Sequence, residues 1–124
     1  KSSHVGLGQF GEDTACCYLE RCGYRILARS WRCPVGQIDI IAQVGDTLVF
    51  VEVKTRSSDT CGLAAETLRA GQRCRIRRAA ELFVSKQIGS GGNALALRFD
   101  LLLVNAAEQT QPAKPLPVEH LENI

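Results

Sequence analysis

Two charged residues lie in an otherwise apolar segment. In VFVEVK, residues 49–54, Glu52 and Lys54 are two positions apart, so on a strand they point to the same side of the sheet. The valines and Phe50 around them predict a strand that is buried on both faces. A carboxylate and an ammonium in that environment cost several kcal/mol of desolvation unless other groups compensate them. The rest of the chain must therefore supply those groups.

A predicted β-hairpin determines which residues face this pair. Strands are expected over 36–43 and 47–55, and Gly45 and Asp46 between them suit a two-residue turn. In such a hairpin every cross-strand pair has the same sum of residue numbers, so the turn fixes the register.

The register places a third charged residue, Asp39, directly opposite Glu52, and Gln37 directly opposite Lys54. Directly opposed side chains have Cβ atoms about 4.5–5.5 Å apart. Two carboxylates at that separation repel each other unless one is protonated or a cation lies between them. A divalent ion such as Mg²⁺, which takes oxygen ligands and keeps several waters, would remove the conflict.

The first predicted helix adds another carboxylate. The sequence has helical periodicity over 9–22, and Glu12 falls on the stripe expected to face the sheet, with Ala15, Cys16 and Leu19. An inward glutamate either completes an acidic cluster with the two hairpin acids or caps the start of the helix. The presence of those acids favours the cluster.

The remaining elements complete an α/β pattern. A strand over 24–33 precedes the hairpin, and a helix over 72–87 and a buried strand over 94–104 follow it. This order predicts an α/β or α+β sheet with helices covering it.

The C-terminal segment differs in composition. Residues 109–117 are rich in Gln and Pro and predict a connector that ends in a short edge strand at 118–121. We therefore expect one α/β domain over 1–108 and a tail over 109–124.

Length and composition restrict the class of protein. A chain of 124 residues with 23% charged and 45% hydrophobic residues is typical of one soluble globular domain. No apolar run is long enough for a membrane span and no signal core is present, so we expect a cytoplasmic protein without a membrane partner. Six cysteines without a Cys-x-x-Cys pair argue against structural zinc.

Arginine is concentrated near the second predicted helix. Arg73 and Arg77 flank its inward stripe, Arg75 and Arg78 are expected to point outward, and Arg56 follows the hairpin strand. Arg56, Arg73 and Arg77 are candidates for phosphate contacts, because the guanidinium group matches phosphate geometry. Ordinary surface charge is the alternative.

These residues occur in segments that resemble a known family. GQIDIIAQVGDTLVFVEVKTR, preceded by GEDTACCYLERCGYRIL and followed by RFDLLLV, is similar to the YraN-type family of small bacterial proteins. The similarity spans roughly residues 6–104. It implies the PD-(D/E)xK nuclease fold of restriction enzymes and archaeal Holliday-junction resolvases.

The resemblance also implies roles for the charged residues. Asp39 and Glu52 would bind Mg²⁺ or Mn²⁺, together with the carbonyl oxygen of Val53. Lys54 would orient or deprotonate the attacking water, and Glu12 would bind the metal directly or through water. The implied reaction is metal-assisted hydrolysis of a phosphodiester bond.

Two positions depart from the family pattern. Gln37 stands where the family usually has Glu, which removes a ligand for a second metal and leaves an accessory residue. Gln72 stands where the family usually has Lys, which weakens a phosphate contact near the start of the second helix.

Three functions remain open from the sequence. The first is a metal-dependent nuclease that acts on nucleic acid, DNA rather than RNA, in branched or structured form. The second is a nuclease-fold protein that binds nucleic acid without cutting it, and the third is a protein–protein adaptor. By analogy with resolvases, which act on two-fold symmetric junctions, a homodimer is expected.

Overall fold

The structure is a computed structural model that describes residues 7–56, 70–89, 96–105 and 118–124. The Gln- and Pro-rich segment 109–117 lies outside these ranges. In chain order the elements are α1 (Leu7–Arg21), β1 (Arg25–Cys33), β2 (Gly36–Val44), β3 (Thr47–Arg56), α2 (Ala70–Gly89), β4 (Ala96–Asn105) and β5 (Val118–Leu121).

The strands form one mixed sheet in the order β1-β2-β3-β4-β5. The first three make an antiparallel meander, β4 is parallel to β3, and β5 pairs antiparallel with β4 at the edge. Two parallel neighbours need a crossover connection, and α2 belongs to it. The predicted single-domain α/β class is confirmed, and the arrangement is that of a restriction-endonuclease-like fold.

The turn between β2 and β3 is the predicted one. Val44 pairs with Thr47, which leaves Gly45 and Asp46 as its two central residues. Gly45 has a φ of 58°, a conformation that glycine adopts without steric cost. The turn therefore sets the register of the hairpin.

Each helix covers one face of the sheet, which explains why β3 is apolar on both sides. Ala15, Cys16 and Leu19 of α1 pack with Val49 and Val51. On the opposite face, side chains of α2 pack around Phe50; these are Ala79, Ala80 and Phe83. Neither helix is long and apolar enough, within the described ranges, to cross a membrane.

A glycine allows α1 to approach the end of β3 closely. A Cβ atom placed on the buried Gly11 would lie 1.8 Å from Oγ1 and 3.1 Å from Cβ of Thr55. These distances are far below van der Waals contact. Because Glu12 is the next residue of α1, this contact also fixes the position of Glu12 relative to β3.

We predict that Gly11→Ala lowers the free energy of unfolding by about 1–3 kcal/mol, because the new methyl group forces α1 or Thr55 to move. Urea denaturation at pH 7 measures this change. The combined variant Gly11→Ala/Thr55→Ala should recover a substantial part of the loss, since Oγ1 is removed. A double variant that shows the sum of the two single losses would disprove the close contact.

Candidate active site

Asp39 lies where the pairing of β2 with β3 ends. The regular ladder stops at Ile40 and Val51, one pair before the expected pair of Asp39 and Glu52. Beyond it, the Val53 amide donates a hydrogen bond to Asp39 Oδ2 at 2.9 Å. The expectation of two directly opposed carboxylates is therefore corrected: the Asp39 side chain reaches across to the backbone of β3.

Near the point where the pairing of β2 with β3 ends, β1 and β2 each place residues two positions apart on opposite faces of the sheet. Ile40 packs beneath α1, whereas Ile38 packs beneath α2, although residues two apart on a regular strand share a face. In β1, likewise, Arg29 contacts α1 and Trp31 packs on α2. Ser30 between them has a φ of 48°, which is uncommon for a residue with a side chain.

The other edge of β3 stays regular through the same region. Residues Glu52, Val53 and Lys54 pair with Leu101, Leu102 and Leu103 of β4. The end of β3 is thus held by β4 on one side and accepts a side chain from β2 on the other. Groups mounted on such a strand keep a fixed geometry, which a catalytic site requires.

A cavity of about 370 Å³ opens at this point on the α1 side of the sheet. Five of the residues predicted to act at the site line it, and these are Glu12, Gln37, Asp39, Val53 and Lys54. Gln9, Ser30 and Thr55 complete the lining. The structure therefore brings together one amine, two carboxylates and two carboxamides from three separate elements.

Glu12 is held in place by β1. Ser30 Oγ donates hydrogen bonds to Oε2 and Oε1 of Glu12 at 3.1 and 3.4 Å. Arg29 lies 3.3 Å from Glu12 Oε1 and also forms an ion pair with Asp13. The Glu12 side chain is only 14% exposed, so these contacts restrict it to the border of the cavity.

Glu52 occupies a neighbouring position. Its Oε2 lies 3.8 Å from Lys54 Nζ, and its side chain lines a second cavity of about 270 Å³ on the α2 side. Asp39 and Gln37 border both cavities. The three acids expected in one cluster are thus divided between two cavities that meet at Asp39. Within the described residues, no group of three or more acidic, His or Cys side chains lies close enough to hold a metal ion.

The electrostatic environment of Asp39 disfavours its charge. Burial raises the pKa of its carboxyl group, and the hydrogen bonds from the Val53 amide and from Gln37 Nε2 offset this only in part. The nearby Glu12 raises this pKa further, and Lys54 lowers it. Within this environment the neutral form of the Asp39 carboxyl group is thus favoured relative to a carboxyl group in water.

The arginines of α2 are arranged differently from the prediction. Arg75, expected to point outward, lines the second cavity with Glu52. Arg73 and Arg77 instead line a small separate cavity with Phe50 and Phe99, and the Arg77 guanidinium lies 5.4 Å from the Phe99 ring centre. The side chains of two further candidates for phosphate contacts, Arg56 and Gln72, lie outside the part of the chain that the structure describes.

Asp100 belongs to a structural network and not to the site. Its fully buried carboxylate accepts hydrogen bonds from Arg98, from His120 Nε2 and from the Asn123 amide. Burial alone would raise its pKa, but these donors together hold the pKa below its ordinary value. The network fixes β5 to the sheet.

Sequence reasoning missed several residues that line the site. Ser30 and Thr55 lie in predicted strands, and no sequence signal indicated that Ser30 adopts a positive φ. Gln9 lies one turn before Glu12 on α1. The one sequence signal for Arg75 was the apolar Ile76 beside it, because the long side chain of an arginine can lie along apolar surface towards the sheet.

The structure defines a single-domain α/β protein with a restriction-endonuclease-like fold, and acids and a lysine lie at the end of one buried strand. Comparison with known proteins agrees. The model of the family described as "Uncharacterised protein family UPF0102" matches residues 11–104. The chain belongs to this family, which confirms the resemblance to the YraN-type proteins.

Relatives from several bacteria share most of their length with the chain. A UPF0102 protein of Moorella thermoacetica is 46% identical over 98 residues, covering 78% of each chain. Another, from Frankia casuarinae, is 41% identical over 93% of this chain and 92% of its own. A third, from Mycolicibacterium vanbaalenii, is 35% identical over 98% and 95%, respectively.

We predict that Asp39→Asn stabilises the fold at neutral pH. The raised pKa means that the folded state binds the Asp39 proton more tightly than the unfolded state does. Wild-type stability therefore falls as pH rises from the ordinary value of 3.8 through the raised value, and the full cost persists above it. Asparagine can still accept the Val53 hydrogen bond and carries no charge.

Urea denaturation in the presence of a chelator tests this prediction. The advantage of Asp39→Asn should be present at pH 7 and shrink towards pH 4. Asp46→Asn, at the exposed turn of the same hairpin, is the matched control and should change little at either pH. A lower stability of Asp39→Asn at pH 7 would show that the charge is not disfavoured.

Proposed function

We propose that the protein is a metal-dependent endonuclease that hydrolyses phosphodiester bonds in DNA, with branched or structured DNA as its substrate. One observation carries the proposal: a half-buried carboxylate, Asp39, shares a cavity with Glu12 and Lys54 at the end of β3. Membership of the family does not by itself assign an activity, so the residues of the site must indicate it.

The donor groups at the cavity suit Mg²⁺ or Mn²⁺. Both ions prefer oxygen ligands, and Mg²⁺ usually keeps several waters, so it needs only one or two carboxylates. Asp39 and Glu12 supply carboxylate oxygens, and the raised pKa of Asp39 identifies a carboxylate whose charge lacks full compensation. We assign Asp39 and the Val53 carbonyl as primary ligands, with Glu12 and Glu52 binding directly or through water.

A divalent ion in this place would polarise the phosphate and lower the pKa of a bound water. The side chains of the protein have separate tasks. Lys54, 3.8 Å from Glu52 Oε2, would donate hydrogen bonds to the attacking water or to the phosphate oxygen that gains charge. Ser30 and Arg29 hold Glu12 at the cavity, and β4 holds the end of β3.

A specific observation also favours a second function, binding of DNA without cleavage. Glu52 lines the second cavity and not the one that Glu12 lines, and Gln37 contributes an amide where the family usually has a carboxylate. A site with fewer gathered acids binds metal less tightly. Under this alternative the cavity recognises the DNA backbone, and the protein holds a structure that another enzyme processes.

Cleavage assays decide between these functions. Linear, flapped and four-way DNA and a matched RNA are incubated with Mg²⁺ or Mn²⁺ and with wild type, Asp39→Ala, Lys54→Ala or Asp46→Ala. We expect metal-dependent cleavage of DNA by wild type and a loss of about 100-fold or more in both site variants, typical of removing a group that stabilises the transition state. Asp46→Ala, at the far end of the same hairpin, should match wild type.

Each other outcome has a definite meaning. Cleavage that survives both site substitutions would come from a contaminating nuclease. No cleavage but salt-dependent DNA binding would support the second function. If the protein neither cleaves nor binds nucleic acid, the adaptor function remains. Light scattering with and without four-way DNA tests the proposed homodimer.

A further inference from the structure

The cavity on the α2 side has a different composition from the cavity that holds Glu12. It measures about 270 Å³ and is lined by Gly36, Gln37, Asp39, Glu52, Arg75 and Ile76. Asp39 and Gln37 border both cavities, so the two spaces adjoin at the proposed catalytic carboxylate. A polymer that is bound at Asp39 and runs across the end of β3 would pass from one cavity into the other.

Arg75 is the cation that lines this second cavity. Its side chain is exposed, and it forms no ion pair or hydrogen bond anywhere in the described ranges. In contrast, Arg29 and Arg98 form ion pairs, and Arg77 lies over Phe99. As far as the described part of the chain is concerned, the donors of the Arg75 guanidinium are thus available to a ligand.

The carboxylates around the site would repel a phosphate backbone, and the positive charge of Arg75 can offset this repulsion. Asp39 and Glu52 repel any polyanion that approaches from the α2 side, and burial weakens the screening of that repulsion. The ammonium of Lys54, which lines the first cavity and lies 3.8 Å from Glu52 Oε2, offsets part of this negative charge. On the α2 side, the planar guanidinium group can bind phosphate oxygens in a bidentate manner.

We propose that the second cavity is a phosphate subsite in which Arg75 binds the backbone phosphate next to the one attacked at Asp39. The amide of Gln37 donates to Asp39 Oδ1 at 3.3 Å, and Gln37 borders both cavities. It would therefore lie between the two phosphates. The ligand class is a nucleic-acid strand that carries at least two consecutive phosphates. This inference rests on the proposed function, because that function supplies the first phosphate.

DNA binding tests the subsite without relying on cleavage. Asp39→Asn serves as the cleavage-deficient background, and Arg75→Gln is compared with Arg78→Gln, the same charge change one turn along α2. In fluorescence anisotropy we expect Arg75→Gln to raise Kd roughly 5-fold or more. The slope of log K against log salt should also fall by about 0.9 on duplex DNA, the value for one lost phosphate contact. Arg78→Gln should change both quantities less.

Neutral methylphosphonate linkages identify the phosphate involved. Each linkage around the cleavage position is replaced in turn, and the effect of Arg75→Gln is measured on each DNA. We expect the effect to disappear when the linkage adjacent to the scissile one is neutral and to persist elsewhere, whereas the smaller Arg78→Gln effect should not depend on that linkage. Unchanged denaturation midpoints confirm that both variants are folded.

The outcomes separate this inference from the proposed function. If wild type cleaves DNA but Arg75→Gln binds no worse than Arg78→Gln, the subsite is wrong and the nuclease function stands. An Arg75→Gln effect that is the same with every linkage would also overturn the subsite, because it indicates general attraction. If one linkage is coupled to Arg75 in a protein that never cleaves, the subsite stands and only hydrolysis is lost.

Discussion

The hydrogen bond from the Val53 amide to the Asp39 carboxylate is the interaction on which the site depends. It forms where the backbone pairing of β2 with β3 ends. The Asp39 side chain there accepts the hydrogen bond of the Val53 amide. An amide buried in a sheet is costly to leave unpaired, and the bond therefore fixes the carboxylate against β3. The same departure of the strands opens space on both faces of the sheet beside one charged group.

The neighbouring strand β4 and the two helices complete the site around this hydrogen bond. β4 pairs with β3 through and beyond Lys54, so the residues around Asp39 remain on a rigid strand. On one face, the close packing of Gly11 on Thr55 brings Glu12 to the cavity. On the other face, α2 brings Arg75. The two helices therefore supply groups of opposite charge to the two sides of the same carboxylate.

The helices and strands, and most of the residues that border the first cavity, could be predicted from the sequence alone. Strong periodicity and the Gly45-Asp46 turn determined the hairpin, and the helical wheel placed Glu12 on the inner face of α1. Regular alternation then led to the wrong expectation for Asp39. The change of face at Ser30 and Asp39 depends on tertiary packing of β1 and β2 between two helices, and neither residue type signals it.

The arginines of α2 show a second limit of sequence reasoning. A helical wheel describes where a side chain leaves the backbone, but an arginine is long enough to reach around the helix. Arg75 therefore borders the site although its Cα position predicted an outward direction, whereas Arg77 packs over Phe99. Assigning such residues requires the positions of the neighbouring aromatic rings and of the sheet.

The most direct test of the central claim is a crystal structure determined with Mn²⁺, in which anomalous scattering locates the ion. The account predicts an anomalous peak bonded to Asp39 in the cavity bordered by Glu12 and Lys54, with the Val53 amide still donating to the same carboxylate. It also predicts that the peak is absent from crystals of Asp39→Asn. Manganese bound only at other carboxylates, with Asp39 contacting protein groups alone, would contradict the account.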